Sequence, residues 1–464
     1  MEGIDKKQKS VQNTTLAVAL ITNFVNPFAT TALNIAVPHI GKEFHASATS
    51  MTWIVLSFIF VTVLLSIPFG RIADIRGRKP ILKSGILLIC AASFLNIFSP
   101  SMPVFFLFRV LQGIGAAMIF STNIAILLDV FPANKRGSVL GISVSAVYAG
   151  AALGPVAGGL ITHAFGWRGV FLVISALALV AFAMAAIKLP KDEKKAVAEK
   201  LNVGSIVLFI VSLGLVMYGF ATLTQNIPSY FILAAGVVFL VVFVRHELRT
   251  ETPVIEVRLF SGNRDFSLSN LAAMFNFASV FAVSYLMSIY LQLVKGFNAD
   301  VSGIIMISQP IIQVILSPIA GRLSDRKSAS SIASAGMACC GGALFMFAFL
   351  DGGAPTPYIV AGLILTGVGQ GLFSSPNSNV IMGSVPKKDY GIAASVQSTS
   401  RTFGQVIGMA VITIVINAVI GNTPIENVAS AHIATDLHIS FSIFAAICVI
   451  GIFISLKRKA KNAL

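Results

Sequence analysis

Two arginines and a set of amides interrupt stretches of sequence that are otherwise apolar. Arg109 lies about five residues inside one such stretch and Arg401 about ten residues inside another. A cation held in hydrocarbon costs on the order of 2.5–3.5 kcal/mol or more. Each arginine therefore needs a partner, a water-lined cavity or a route to the surface. Arg109 could snorkel out; Arg401 could not do so easily, because ten residues of helix rise about 15 Å. Asn23, Asn26, Thr30, Thr31 and Asn34 recur at near-helical spacing in the first apolar run. Gln112, Asn123, Tyr148, Asn276, Tyr285, Gln309, Gln313, Asn377 and Gln405 add further polar groups. Each alone serves an interhelical hydrogen bond as readily as a ligand contact. Together they predict a polar cavity fringed by Phe275, Phe277 and Phe281. No His, Ser and acidic groups converge at one depth, so binding and passage are expected here, not an enzyme.

A second cluster is Gly70-Arg71-Ile72-Ala73-Asp74-Ile75-Arg76-Gly77-Arg78-Lys79, wedged between two apolar runs. An anchoring role would explain its basic residues but not Asp74 or the glycines. Asp74 can accept hydrogen bonds at a helix N-terminus elsewhere in the molecule. Such bonds hold only while the helix ends on that side are closed together, which makes the loop a conformational latch.

The elements that position these residues follow from composition. Of 464 residues 56% are hydrophobic and 11% charged, and the mean hydropathy is +0.87. No soluble globule has that balance. In hydrocarbon every backbone N–H and C=O must be bonded within its own segment, so a span is a helix of roughly 20 apolar residues. Fourteen such runs are predicted between residues 15 and 456, the first a retained span and not a cleaved leader. The four cysteines lie inside the runs without disulfide or metal spacing.

The net charge of +15 follows the loops. With the N-terminus placed in the cytoplasm, all 33 Lys and Arg fall on the cytoplasmic side except Lys42, Arg168 and Lys295 outside and Arg109 and Arg401 within spans. This positive-inside bias sets both termini in the cytoplasm and removes any need for nucleic acid as a partner.

The chain also repeats. Gly321-Arg322-Leu323-Ser324-Asp325-Arg326 echoes the loop at 70, each copy preceded by a proline, Pro68 or Pro318. Leu111-Gln112-Gly113-Ile114-Gly115 matches Leu365-Thr366-Gly367-Val368-Gly369, and the same offset carries Asn123 onto Asn377, Gly150 onto Gly404 and Gly154 onto Gly408. Two parallel six-helix halves are expected, 1–190 and 266–464, with two inserted helices in 191–265. Repeats around a midplane site are the plan of alternating-access carriers.

The loop GRIADIRGRK is similar to the signature between the second and third helices of the major facilitator superfamily. The stretch FRVLQGIGAA at 108–117 is similar to its fourth-helix motif, and GAALGPVAGG at 150–159 to the fifth-helix motif of antiporters. With fourteen spans the chain resembles the drug:proton antiporter branch, which includes multidrug and some tetracycline exporters. The resemblance implies an all-α membrane fold and gives Gly70, Asp74, Arg78 and Asp129 the latch. It ties Arg109 to proton coupling and assigns Gly150, Gly154, Pro155 and Gly158 to the antiporter motif. Candidate cavity residues are Asn26, Thr30, Asn34, Gln112, Asn123, Tyr148, Gln309, Gln313, Asn377 and Arg401.

One departure matters. Where the family often has an aspartate in the first helix, this chain has Ala29, and none of its 18 acidic residues is placed deep in a span; Asp436 is read as outside. A cavity with arginine but no carboxylate favours a neutral, zwitterionic or anionic amphipathic substrate over a cation. Proton coupling would then fall to Asp74, Asp129, His39 or His163. No phosphate-binding loop of the ATPase kind is present, so the expected energy source is a proton gradient, with no cofactor or metal. The expected setting is the plasma or inner membrane, as a monomer in the lipid bilayer. The alternative is the same fold carrying one specific metabolite or cell-made product.

Overall fold

The structure is a computed structural model. It describes residues 2–189, 202–223, 227–250, 254, 260, 262–386, 390–421, 423, 428 and 430–458; the side chains of 2–9, 74, 128, 133–138, 140, 141, 144, 221, 325, 326, 390–392, 394, 395, 430 and 431 lie outside that description. The Asp74 side chain, the lysine-rich stretch 190–201 and Lys387 and Lys388 are thus outside the described residues.

The first half consists of α1 (Glu2–Glu43), α2 (Ala48–Arg76), α3 (Arg78–Asn96), α4 (Met102–Val130) and α5 (Ala133–Lys188). Next come α6 (Val203–Ala221) and α7 (Pro228–Arg249). The second half holds α8 (Arg264–Ile289), α9 (Ala299–Met306), α10 (Ser308–Arg326), α11 (Ala329–Phe347), α12 (Thr356–Gly383), α13 (Tyr390–Val419) and α14 (Ser430–Leu456). A π-helical turn, Tyr290–Val294, ends α8. No β-strand occurs among the described residues. Thirteen stretches are long and apolar enough to cross a membrane, where the sequence predicts fourteen. The difference is α5. Its apolar stretch Ser145–Lys188 runs 44 residues, about twice a bilayer, and contains a non-helical residue, Gly166 (φ 72, ψ 176). The turn is so tight that hydrogen-bonded helix continues almost to the break on either side. The two parts take different neighbours: Gly150, Gly154 and Gly158 meet α1, whereas Ser175 bonds to Cys90 of α3.

Short polar turns hold the helix starts. Ser47, Asn202, Asn263 and Ser328 each accept a hydrogen bond from the backbone N–H three residues on, satisfying one of the donors a helix leaves open. Between α2 and α3 one residue turns the chain: Gly77, φ 101 and ψ 139, caps α2 through its N–H to the Ala73 carbonyl and starts α3. Only glycine adopts that backbone without strain. Gly77→Ala is therefore expected to destabilise by about 1–3 kcal/mol, read as a lowered melting midpoint of purified protein; an unchanged midpoint would show that the hairpin re-forms with another turn.

The inserted pair packs as a hairpin. Phe209 of α6 meets Phe243 of α7 at 5.5 Å between ring centroids, and a Cβ at Gly219 or Gly236 would fall within 2.6 Å of the facing backbone. α6 rests on both halves, touching α2 and α13, with Tyr218 against Trp53 at 6.1 Å. Phe231, Val238 and Val241 of α7 face outward, a surface suited to lipid.

Candidate functional site

Glycine sets the closest approach inside each half. The spacing of Gly150, Gly154 and Gly158 puts them on one face of α5, and that face meets α1. A Cβ at Gly150 would lie 2.3 Å from the Phe24 carbonyl oxygen and one at Gly158 2.6 Å from Ala32 Cα. The second half repeats the lock: Gly404 of α13 meets the Met274 carbonyl of α8 and Gly408 that of Ala278, both at 2.3 Å. The neighbouring face of α5 looks to the other half, where the Pro155 carbonyl lies 2.2 Å from a Cβ built on Gly303, and Gly159 approaches Ala299. Gly70 is different. A Cβ there would stand 3.7 Å from Ser121, ordinary contact.

Buried polar networks stiffen the halves. Arg109 is 1% exposed; its Nε donates to the Ile54 carbonyl at 3.1 Å and its Nη1 to Gln112 Oε1 at 2.8 Å, with the guanidinium 4.6 Å from the Phe58 ring centroid. Gln112 in turn donates to Ser93 Oγ at 2.7 Å. Arg109 thus turns inward and does not snorkel. Gln112, three residues on, shares its helix face and joins α4 to α2 and α3, away from the seam between the halves. Asn123 donates to Asn23 Oδ1 (2.7 Å) and Thr22 Oγ1 (3.0 Å), and Asn23 donates to Ser143 Oγ (2.6 Å). Asn26 lines a small cavity with Ile86, Ile119 and Ala178, inside the first half. Asn377 takes the matching place in the second half: it donates to the Ser269 carbonyl and accepts from Arg458 Nη1 at 2.6 Å.

Five of the expected cavity residues therefore need sorting again. Gln112, Asn123 and Asn377 hold helices together within a half, Asn26 lines a small cavity inside the first half, and the fifth, Asn34, lies in the seam. The helical period gives the face of a residue but not the helix that face will meet. Thr30, half-buried, donates to the Asn26 carbonyl at 3.1 Å, and Tyr148, Gln309 and Gln313 are half-buried. Arg401 is half-buried with its guanidinium 4.5 Å from the Phe277 ring centroid, and no carboxylate pairs with it among the described residues.

Arg458, expected as a topological charge in the tail, is 4% exposed and bonded also to the Ser269 hydroxyl, the Ser455 carbonyl and the Ser455 hydroxyl. Burial pushes its guanidinium down to about 10, against the opposing pull of Asp265. It remains a cation at neutral pH, held by neutral oxygens where α14 ends on α8 and α12. Asp436 likewise departs from expectation. It lies within the apolar stretch His432–Leu456 and is 2% exposed, because α14 begins at Ser430 and turns this residue inward.

The seam is held at one end. Helix ends near residues 44–47, 97–101, 163–168, 295–298 and 348–355, with 420, 421 and 423, lie at the end away from the start of α1, the far end. There Ser284 Oγ accepts from Asn34 Nδ2 (3.0 Å), Ser288 Oγ donates to the Asn34 carbonyl (2.7 Å) and Gln292 Nε2 to the Ile35 carbonyl (3.1 Å). Thr413 donates to Thr52 at 2.8 Å, Thr49 to Asn417, and the Ala48 N–H to the Thr423 carbonyl at 3.4 Å. His163 Nδ1 stands 3.9 Å from Asp300 Oδ1. Ser284, Ser288 and Gln292 at four-residue spacing form a polar stripe in an apolar run, a signal sequence reading could have used.

At the opposite end the described side-chain bonds stay within one half. Arg78 Nη1 meets Asp129 Oδ2 at 2.8 Å, joining α3 to α4. Two latch residues thus come together, within the first half. The described hydrogen bonds thus join the two groups of helices at the far end.

Known proteins have this plan. A sequence model described as Major Facilitator Superfamily matches residues 19–244 and 269–463. The chain is similar to the riboflavin transporter RibZ of Clostridioides difficile (strain 630), 28% identical over 95% of this chain and 96% of that one. It is similar to the multidrug resistance protein Stp of Mycobacterium tuberculosis (strain ATCC 25618 / H37Rv), 28% identical over 83% and 72%, and to the methyl viologen resistance protein SmvA of Salmonella typhimurium (strain 14028s / SGSC 2262), 27% identical over 86% and 81%. A crystal structure of a bacterial homologue of the human lysosomal transporter Spinster, inward-facing and unoccupied, superposes with a TM-score of 0.71 at 15% identity over 96% of both chains. By its sequence match and its helical architecture, the chain is a membrane transporter, not an enzyme, and belongs to the major facilitator superfamily.

Proposed function

We propose that this transporter is a proton-coupled antiporter that exports amphipathic compounds across the cell membrane by alternating access. One observation carries the reading: every described hydrogen bond between the halves lies at the far end. Two glycine-locked groups of helices whose described bridges gather at one end can rock about that seam. The Lys and Arg bias supports placing the far end outside and both termini in the cytoplasm; the structure then corresponds to a state closed to the outside. Counting α5 as two spans, divided at Gly166, supports membership of the fourteen-helix drug:proton branch, as do relatives named for drug resistance. The latch of Asp74, Arg78 and Asp129 would act in the opposite state, when the cytoplasmic ends meet. The protein works as a monomer in the bilayer without cofactor, driven by the proton gradient.

The preferred substrate is neutral or anionic, because the half-buried Arg401 pairs with an aromatic ring and, among the described residues, with no acid. A second reading, one specific cell-made product or metabolite, is favoured by the similarity to a riboflavin transporter. Purified protein in liposomes with an imposed proton gradient separates the two, with lumenal pH recorded as neutral, anionic and cationic amphiphiles are added in turn. Proton movement with several neutral or anionic compounds, lost in Asp74→Asn and weakened for anions in Arg401→Ala, is the expected result. Response to a permanent dication alone would overturn the substrate class, and response to a single compound would favour the second reading.

A further inference from the structure

Asp436 is a buried carboxylate that nothing above uses. Its Oδ1 has no hydrogen-bond partner, and the side chain is 2% exposed. It lines a small cavity on the seam, walled by Ala48 and Met51 of α2 from one half and by Tyr285, Ile289 and Ile416 from the other. Apart from Asp436 the only titratable group in the lining is Tyr285, and no Lys or Arg is there. On the elements packed around it, the Tyr290 hydroxyl is engaged by the Asp351 carbonyl and the Asp351 residue is exposed. On α14 itself His432 is exposed and the His438 ring meets the Ala348 carbonyl. The helices α2 and α13 add no charge to the lining.

An ionised carboxylate in a largely apolar lining without a cation is strongly disfavoured, whereas the neutral acid is tolerated. Ala48 and Met51 of α2 close this pocket from the first half, so parting of the contacts between α2 and α13 would open the carboxylate to water. Those are the contacts that Thr52–Thr413, Thr49–Asn417 and Ala48–Thr423 close. We propose that Asp436 is a proton-binding site built into the seam, its carboxyl neutral while the far end is closed and ionised once the far end opens. The proton comes from water on the far side and forms the O–H bond at the carboxylate. Because protonation and closure favour each other, proton binding shifts the halves toward the closed far end, and loss of the proton shifts them toward the open one. This rests on the reading of the chain as a proton-coupled carrier; the proton returns to far-side water when the seam opens, so the site sets the far end's opening by pH and carries no proton across.

The test uses the full chain in nanodiscs, with spin labels attached through non-natural ketone residues at Lys42 and Thr423, one on each half at the far end, so that the native cysteines stay in place. In wild type the labels are expected to move apart as pH is raised. Asp436→Asn, a mimic of the neutral acid, should stay at the short distance at every pH, and Asp436→Glu should regain the response with a shifted midpoint. The infrared band of a protonated carboxyl should vanish in Asp436→Asn. A wild type without pH response, or an Asn variant that responds as wild type does, overturns the proposal. Should the Asn variant fail to fold, the Glu variant decides: a shifted midpoint supports the site and an unchanged one overturns it. Loss of the pH response in Asp436→Asn with no amphiphile-driven proton flux in wild type would keep the proton site and discard antiport. Flux in wild type with an unaltered response in Asp436→Asn would do the reverse.

Discussion

Gly150→Ala is expected to cost about 3 kcal/mol or more and to leave little folded protein. Its new Cβ would sit 2.3 Å from the Phe24 carbonyl oxygen and 3.1 Å from the Phe24 carbonyl carbon, so backbone must move. Overpacking of a tight core ordinarily costs 1–3 kcal/mol, occasionally more, and no flexible side chain is present here to relieve it. Gly404→Ala should behave alike, since its Cβ would meet the Met274 carbonyl at 2.3 Å. Gly70→Ala is the control. It changes the signature loop, yet its Cβ finds ordinary contact with Ser121 at 3.7 Å, so its stability should be unchanged. Monodisperse yield in size-exclusion chromatography and the melting midpoint read all three. Equal behaviour of Gly150→Ala and Gly70→Ala would contradict the helix lock.

The second large effect is expected at Arg109. Arg109→Ala leaves Gln112 Oε1 without its donor in a buried setting, while the Ile54 carbonyl, inside α2, loses only its second donor. An orphaned buried acceptor costs about 1–3 kcal/mol, and the void opened below Phe58 adds to that loss. Removing both partners is milder, because a buried cation is itself a burden and an apolar pair of matching volume can replace it. Arg109→Met with Gln112→Leu should thus recover most of the melting midpoint. If Arg109 serves proton coupling, that double variant folds but moves no protons against substrate in liposomes. A double variant with normal coupled transport would reduce Arg109 to a structural role.

The two predictions differ in how far sequence could see them. The glycine lock was legible, because glycine at four-residue spacing in an apolar run has few physical uses other than close helix contact, and the second copy at an offset of 254 repeated it. The burial of Arg109 was half legible: a charge in a span demands a partner, but the partners come from α2 and from its own helix. Gln112, Asn123 and Asn377, grouped by sequence with the cavity residues, bond between helices within each half. Asp436 precedes the last continuous apolar run of the sequence, whereas α14 begins at Ser430 and carries it inward. Arg458 was counted as tail charge, although Asn377, Ser269 and Ser455 draw it inward. The break at Gly166 lies where the sequence separates two spans, but helix continues so nearly to it that α5 forms one long element.

By itself the sequence determined that this is a helical membrane protein with a repeated plan, and its basic loops point to one orientation. The reason is local: in hydrocarbon each span must satisfy its own backbone, and glycine, proline and charge mark where spans start, pack and stop. Only the tertiary structure decided which polar groups face the seam, which end of the seam is bridged, and that a carboxylate lies buried beside it. Those properties arise where residues hundreds of positions apart, such as Thr52 and Thr413 or Ala48 and Asp436, meet across the two halves, and helical periodicity carries no information about the partner it will meet.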